Sequence, residues 1–224
     1  GMFAYTIRRV IATIPVMGIV ALFVFSLLYI APGDPAAIIA GDQATPEDVE
    51  RIRASLGLDR PFIIRFTEWL FRVVQGDLGV SIFTNLPVSH MIKQRLEPTY
   101  SLMLLTLAIA LTFAIPMGVI AAWKQGTWID RLVMVFAVLG FSVPVFVVGY
   151  VLAYTFALQL DWFPVQGYTP IANGIGGWLS NLMLPAVALG GAFIALIARI
   201  TRATMLEVLS QDYVRTAKTK GVGQ

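Results

Sequence analysis

The sequence contains no cysteine, and only 13% of its 224 residues carry a charged side chain. Without cysteine the chain can form neither a disulfide nor a thiolate metal site. A soluble domain has about a quarter of its residues charged, so the shortage of charge argues against one. Apolar residues instead make up 58% of the chain, more than a larger core would explain, which favours a membrane protein.

Long uncharged runs are what this composition provides. A helix needs about 20 apolar residues to cross a bilayer, and the runs 10–31, 98–123 and 132–160 meet that length without a charge. A fourth run, 162–198, is rich in proline and glycine at its start, so we expect a loop over 161–181 and a span over 182–204. The first run is longer than the 7–15 apolar residues of a signal peptide, so we expect it to be retained. The predicted fold is an all-α polytopic transmembrane helix bundle with short helices on both sides of the membrane.

Basic residues beside the spans predict the orientation. Lys and Arg in short segments next to spans mark the cytoplasmic side. They occur before the first span, between the second and third, and after the fourth, whereas the 161–181 loop has none. We therefore expect 1–9, with the N-terminus, 124–131 and 205–224 in the cytoplasm, and 32–97 and 161–181 outside. The charges of 32–97 count little, because so long a segment is translocated regardless of charge.

The 32–97 segment has helical patterns of its own. Thr45 and Asp48 are spaced as in a capping box with proline at the first helical position, and Gly57 is expected to end that helix. After Pro61 a second amphipathic pattern follows, with its charged residues on a separate face: Arg65, Glu68 and Arg72. We expect the apolar stripes to lie on the membrane, on a neighbouring subunit or in a small core of their own. The side chains that test this are Val49, Ile52, Phe66 and Leu70.

The uncharged runs lack the groups that ion coupling or catalysis would need. Ion-coupled carriers and pumps place ionisable residues at membrane depth, and these runs have none. The single histidine, His90, is expected at an interfacial surface rather than in a site. No nucleophile–base pair, metal-ligand cluster or phosphate-binding glycine loop can be assembled, so we expect no enzyme activity and no cofactor. If ATP drives this protein, another chain binds it.

Proline and small residues are what the spans do contain. Each span has a proline within it or at its start, and small residues recur four positions apart, a spacing that lets helix backbones approach closely in lipid. For any single pair, ordinary bundle packing is the simpler interpretation. Proline in every span favours helices that bend or line a passage. The predicted kink and packing residues are Pro15, Pro116, Gly118, Pro144, Pro185 and Gly190.

The chain closes on a basic, helix-like stretch. Asp212 can open a helix, and Gly221 suits its left-handed end. Tyr213, Ala217 and Gly221 lie four positions apart and form a face with a notch. The residues alone leave two alternatives open: docking to a partner protein, or contact with anionic lipid headgroups.

Several stretches in order resemble a known family. They are "PGDP" (32–35), "GDLGVS" (76–81), "GFSVPVF" (140–146), "LPAVALG" (184–190) and "MLEVLSQDYVRTAKTKG" (205–221). Together they are similar to the permease subunits of the dipeptide, oligopeptide and nickel class of ATP-binding-cassette importers. The last stretch resembles the family's cytoplasmic loop, Glu-Ala-Ala, three residues, Gly. Ala217 and Gly221 match it, and Arg215 replaces the glutamate, as is common in the peptide-importer branch.

The resemblance implies a function and a set of partners. The loop would form a coupling helix in a groove of an ATPase subunit, through Asp212, Tyr213, Arg215, Ala217 and Gly221. The implied partners are a second permease subunit, two ATP-binding subunits, an extracytoplasmic solute-binding protein and the lipids of the cell (inner) membrane, with no nucleic acid. Two further spans would follow, so four of about six helices are expected here. An ion-coupled secondary transporter and a membrane-anchored scaffold are the competing hypotheses.

Overall fold

The computed structural model describes residues 1–30, 33–81, 84–211, 217 and 219–221. They form two compact units, Gly1–Lys93 and Gln94–Gln224. Across the described residues the regular structure is helical, and an isolated bridge between Val80 and Pro87 is the one extended pairing among them. The predicted all-α fold class is confirmed.

The first unit contains α1 (Met2–Ile30), α2 (Pro35–Ala40), α3 (Pro46–Ser55), α4 (Phe62–Val74) and the start of α5 (Val88–Trp123). The capping box of α3 is present as predicted: the Asp48 amide donates to Thr45 Oγ1 at 3.2 Å, and the Thr45 amide donates to Asp48 Oδ2 at 3.3 Å. Gly57 follows the helix at φ +73°, a left-handed conformation that glycine adopts at little cost. Local sequence therefore sets both ends of α3.

An aromatic cluster joins α1 to α4. The Phe25 ring lies 5.3–5.6 Å, centroid to centroid, from three rings of α4: Phe62, Phe66 and Trp69. Arg65 stacks 5.4 Å from the Phe25 centroid and donates a hydrogen bond to the Tyr29 hydroxyl. Arg65, predicted on a charged face separate from the apolar one, also contacts α1, because its flat guanidinium packs on the ring faces of Phe25 and Tyr29. Two of the family-like motifs lie in this unit, where Asp34 caps α2 and pairs with Arg53, and Asp77 accepts from the Gly79 amide at 2.9 Å.

The four side chains proposed for the apolar stripes of this unit are all half-buried: Val49, Ile52, Phe66 and Leu70. Phe66 owes its burial to the aromatic cluster on α1. A core of the unit's own therefore accounts for part of the stripe on α4, which is one of the alternatives left open by the sequence.

The second unit contains most of α5, then α6 (Trp128–Ser142), α7 (Val145–Leu152), a π-helical stretch (Ala153–Gln159), a short 3₁₀ turn (Ile171–Asn173) and α8 (Ile175–Leu209). The helices α5 and α8 are longer than the predicted spans 98–123 and 182–204. The absence of charged residues marks the part of a helix that suits lipid. The helical hydrogen bonding of the backbone continues beyond that part, so the helices are longer than the uncharged runs. Gly177, expected in the 161–181 loop, lies in the first turn of α8, where a Cβ would come 3.0 Å from Thr169 Cγ2.

The expected span 132–160 is not one continuous α-helix. The α6 helix ends at Ser142, α7 begins at Val145, and the two directions differ by 96°. Pro144 causes the break, since it lacks an amide hydrogen and disfavours helical geometry at the preceding residue; Val143 is extended at φ −87°, ψ 121°. The α-helix then gives way to π-helical turns at Ala153.

In the part of the chain that the structure describes, three helices are long and apolar enough to cross a membrane: α1 over Met2–Leu27, α5 and α8. The bent pair of α6 with α7 and its π-helical extension becomes a fourth candidate if it counts as one span. Their length and composition identify a multi-pass helical membrane protein.

Small side chains fill the core of the second unit. On α5 five of the seven buried residues recur every fourth position: Thr106, Ala110, Ala114, Gly118 and Ala122. On α8 the buried residues are Leu182, Ala186, Ala188, Gly190, Ala195 and Ala198. Stripes of this kind bring helix backbones close together, which is how helices associate in lipid.

Candidate functional site

The predicted coupling segment follows directly from α8. That helix runs to Leu209, and Ser210 ends it with its hydroxyl donating to the Glu207 carbonyl at 2.7 Å. Ala217 is helical and half-buried, and Gly221 is exposed at φ +88°. Asp212, Tyr213 and Arg215 lie outside the described residues. The left-handed backbone at Gly221 is the geometry that glycine suits at a helix end.

A largely buried ion pair joins the first turn of α6 to α8 within the second unit. Arg202 of α8 donates to Asp130 of α6 through Nε at 2.7 Å and Nη2 at 2.9 Å, one bond to each carboxylate oxygen. The Gly126 amide donates to Asp130 Oδ2 at 3.0 Å. Only 7% of the Asp130 side chain is exposed, against 23% for Arg202. We call these three residues, Gly126, Asp130 and Arg202, the Asp130 junction.

Local sequence explains the α6 side of the junction. Asp130 is the third residue of α6, so its carboxylate can reach back to the backbone amide of Gly126, in the turn just before the helix. Gly126 has φ +80°, which turns the chain between Trp123 and Thr127. The turn is closed by the Thr127 amide and hydroxyl, which donate to the Lys124 carbonyl at 3.0 and 2.5 Å. The short turn between α5 and α6 is therefore stabilised both by the hydrogen bonds from Thr127 to the Lys124 carbonyl and by the hydrogen bond from the Gly126 amide to Asp130.

The helices α5 and α8 meet closely near the junction. A Cβ built on Gly118 would come 2.6 Å from Thr201 Cβ and 2.7 Å from the Ala198 carbonyl oxygen, so only glycine fits there. Further along, a Cβ at Gly190 would meet Ile109 Cγ2 at an ordinary 3.5 Å. Of the two glycines singled out from the sequence, Gly118 is thus the tightly constrained one.

The predicted prolines have different surroundings. Pro15, Pro116 and Pro185 lie inside α1, α5 and α8, and each helix continues through its proline. Bending at these three positions stays a prediction. Pro144 differs, because the helix stops there and resumes in another direction.

Two features of this region were missed from the sequence. The charge pattern identifies Arg202 only as a marker of orientation, and it gives no role to Asp130; 72 positions separate the two residues, and no local pattern links them. Gly140 was noted only within a motif, yet a Cβ there would come 2.9 Å from Ala195 Cβ on α8. For Gly140 a signal existed, since glycine inside a helix costs about 1 kcal/mol relative to alanine and so points to a packing reason.

Known families match nearly the whole chain. Residues 114–224 match the family described as binding-protein-dependent transport system inner membrane component, and residues 2–103 match the N-terminal family of such membrane components. A protein named probable peptide ABC transporter permease, from Sinorhizobium fredii, is 51% identical over 98% of this chain and 70% of its own length. The putative peptide transport system permease of Brucella abortus is 47% identical over 100% of this chain and 71% of its own length. The glutathione transport system permease GsiC of Escherichia coli is 39% identical over 100% of this chain and 70% of its own length.

The chain belongs to the ABC importer permease family. The family resemblance stated from the five motifs is confirmed, and with it the expectation of a transport permease in the inner membrane. The Asp130 junction, Gly118 and the segment after α8 all lie in the part that matches the inner membrane component. This places the ion pair within the family's own domain, beside the segment for which a partner is expected.

Proposed function

We propose that this permease subunit carries peptides or similar small solutes inward, and that residues 205–224 dock an ATPase subunit whose movement drives the helices. ATP hydrolysis takes place on that separate subunit. The single observation that carries the docking proposal is the geometry after α8: a helical Ala217 followed at four positions by Gly221 with φ +88°. The small side chains of Ala217 and Gly221 leave room on this side of the segment for the wall of a groove on a partner subunit.

The solute class rests on the relatives. Two of those described above are named as peptide permeases and a third as a glutathione permease; glutathione is itself a short peptide. The permease is therefore proposed to transport short peptides or similar small solutes. A solute-binding protein is proposed as a partner because the matched family is binding-protein-dependent. A second permease subunit and two ATPase subunits would complete the importer.

The proposed orientation places the N-terminus and the segment after α8 in the cytoplasm, which agrees with the charge distribution beside the spans. Because the chain has no cysteine, single cysteines at Gln43 and Thr219 report the side directly. An impermeant thiol reagent applied to intact cells should label Gln43→Cys and spare Thr219→Cys. Labelling of Thr219→Cys from outside would reverse the orientation.

The docking proposal is tested with the full importer in liposomes, comparing Gly221→Leu, Ala217→Trp and wild type. Both changes add bulk to the small face, so solute uptake per ATP hydrolysed should fall while the permease still assembles in the membrane. Gly221→Asn is the matched control for backbone conformation, because asparagine tolerates left-handed geometry.

Contact with anionic lipid makes the opposite prediction. In that case Lys218→Gln with Lys220→Gln should loosen membrane contact by about 1 kcal/mol per charge, and the bulky variants should couple normally. Normal coupling in both Gly221→Leu and Ala217→Trp, with a defect only in the lysine variants, rejects the docking proposal.

A further inference from the structure

The Asp130 junction connects α8 to α6 and to the α5–α6 turn. These parts of the second unit must move together if a partner subunit displaces the segment after α8. Arg202 lies on α8, seven positions before its last residue, Leu209. Asp130 lies in the first turn of α6 and also holds the α5–α6 connection through Gly126. One carboxylate thus touches α6, α8 and the turn that follows α5.

The geometry of the pair favours a fixed link over a loose surface contact. Exposed ion pairs contribute little, because solvent screens them and long side chains lose entropy. Here the guanidinium meets the carboxylate through two parallel bonds, which fixes direction as well as distance. Only 7% of the Asp130 side chain is exposed, so removal of the Arg202 guanidinium would leave a buried carboxylate without its counter-charge, which is costly.

Close helix packing beside the pair, and about two helical turns along α8 from it, leaves α8 little freedom to slide alone. Gly118 of α5 abuts Thr201, the residue next to Arg202. On α6, Gly140 abuts Ala195 of α8. The ion pair is the directional element in this set, because its two parallel hydrogen bonds fix the relative orientation of the two side chains as well as their distance.

We propose that Asp130 and Arg202 are positioning residues for energy coupling: their bond makes α6 and the α5–α6 turn follow α8 when the segment after α8 moves. This inference rests on the proposed docking of an ATPase subunit to that segment. It assigns neither residue a contact with solute or nucleotide. It predicts that loss of the bond separates ATP hydrolysis from solute movement while the subunits remain assembled.

The first experiment compares Asp130→Asn and Arg202→Gln in the complete importer, reconstituted with its partners in liposomes. Solute transported per ATP should fall by about 2- to 30-fold, the range expected when coupling changes by 0.5–2 kcal/mol. Arg199→Gln is the matched control: Arg199 is on the same helix but lies over the Phe141 ring, 5.3 Å from its centroid. Its ratio should stay close to wild type.

A second variant separates positioning from simple loss of stability. Because the chain has no cysteine, Asp130→Cys with Arg202→Cys can be joined by a reducible bis-methanethiosulfonate linker, with cysteine-free partners. The linked importer should regain most of its coupling, and reduction of the linker should remove it again in the same sample. A junction needed only for folding would give no such reversible change.

The outcomes of the two proposals are distinguishable. If Gly221→Leu and Ala217→Trp uncouple the importer while Asp130→Asn and Arg202→Gln keep the wild-type ratio, the docking proposal stands and the positioning role is overturned. If the linker fails to restore coupling to assembled double-cysteine importer, the positioning role is also overturned. If the bulky variants couple normally, the docking proposal fails, and this inference fails with it.

Discussion

The two units of this chain use opposite means to hold helices together. In the first, α1 and α4 meet through large rings, with Phe25 in contact with three rings and one guanidinium of α4. In the second, α5, α6 and α8 meet through glycine and alanine, and the closest contacts are those of Gly118 and Gly140. Each unit also has an ion pair: both side chains are exposed in Arg60–Glu68, whereas in Asp130–Arg202 the carboxylate is buried and the guanidinium is partly buried.

The difference follows from the surroundings that each kind of packing suits. Rings stabilise a short amphipathic helix because they remove a large apolar area from water. Between lipid-embedded helices that driving force is absent, and close backbone approach takes its place. The stability of the first unit should therefore fall most when a ring is truncated, and that of the second when a methyl group is added at a helix contact.

The largest effect is expected from removing the central ring of the first unit. Phe25 is 8% exposed, and truncation of a buried Phe to Ala costs about 3 kcal/mol or more. Phe25→Ala should lower the unfolding midpoint of the detergent-solubilised permease. Phe23→Ala on the same helix is the control, since Phe23 is 62% exposed and should change little. Equal effects of the two variants would show that the aromatic cluster does not hold α4 to α1.

The second effect tests addition of one methyl group. Gly118→Ala places a Cβ 2.6 Å from Thr201 Cβ and 2.7 Å from a backbone carbonyl, so α5 and α8 must move apart, at a cost of about 2 kcal/mol. Gly191→Ala on α8 is the matched control, because no atom lies within 4 Å of its added Cβ and alanine favours the helix. In denaturant, the free energy of unfolding should be lower than wild type for Gly118→Ala and slightly higher for Gly191→Ala. A Gly118→Ala variant more stable than wild type would contradict the close contact between α5 and α8.

Sequence reasoning predicted best what depends on local or compositional signals. The capping box at Thr45 and the left-handed glycine after α3 follow from short-range chemistry, and the all-α fold follows from long apolar runs. The broken helix was harder. Pro144 was singled out, yet a proline inside an apolar run is compatible with a mild kink or a full break, and tertiary packing decides between them.

The junction shows the opposite limit. The position of Arg202 beside a predicted span indicates the cytoplasmic side of the membrane. It gives no information about which residue pairs with Arg202. Asp130 and Arg202 meet only because α6 and α8 are packed side by side, a relation absent from either local segment. Arg65 shows the same limit in the first unit, since helical spacing placed it on a charged face while its stacking on Phe25 depends on where α1 lies.

A smaller effect is expected where α6 meets α8. Gly140→Ala brings its Cβ 2.9 Å from Ala195 Cβ, which is expected to cost about 1 kcal/mol. Adding Ala195→Gly removes the opposing methyl, so the double variant should regain most of the lost stability. The helix propensities of the two changes cancel, since one glycine is lost and one is gained. Additive losses in the double variant would show that the two methyl positions do not compete for the same space.

The smallest effect concerns the exposed ion pair of the first unit. Two 2.7 Å hydrogen bonds from the Arg60 guanidinium lower the pKa of Glu68 below its usual value of 4.5, against the opposing effect of burial. Since the folded pKa is depressed, the pair's contribution to stability is complete above the unfolded pKa and is lost as pH falls through the folded one. The unfolding midpoint of wild type should therefore approach that of Glu68→Gln only below about pH 4.5, and the difference between them should be constant from pH 6 to 8. With both side chains nearly half exposed, the difference should be small and should shrink in high salt. A gap that persists unchanged to pH 3 would show that Glu68 acts through packing of its side chain, as the rings of this unit do, and not through its charge.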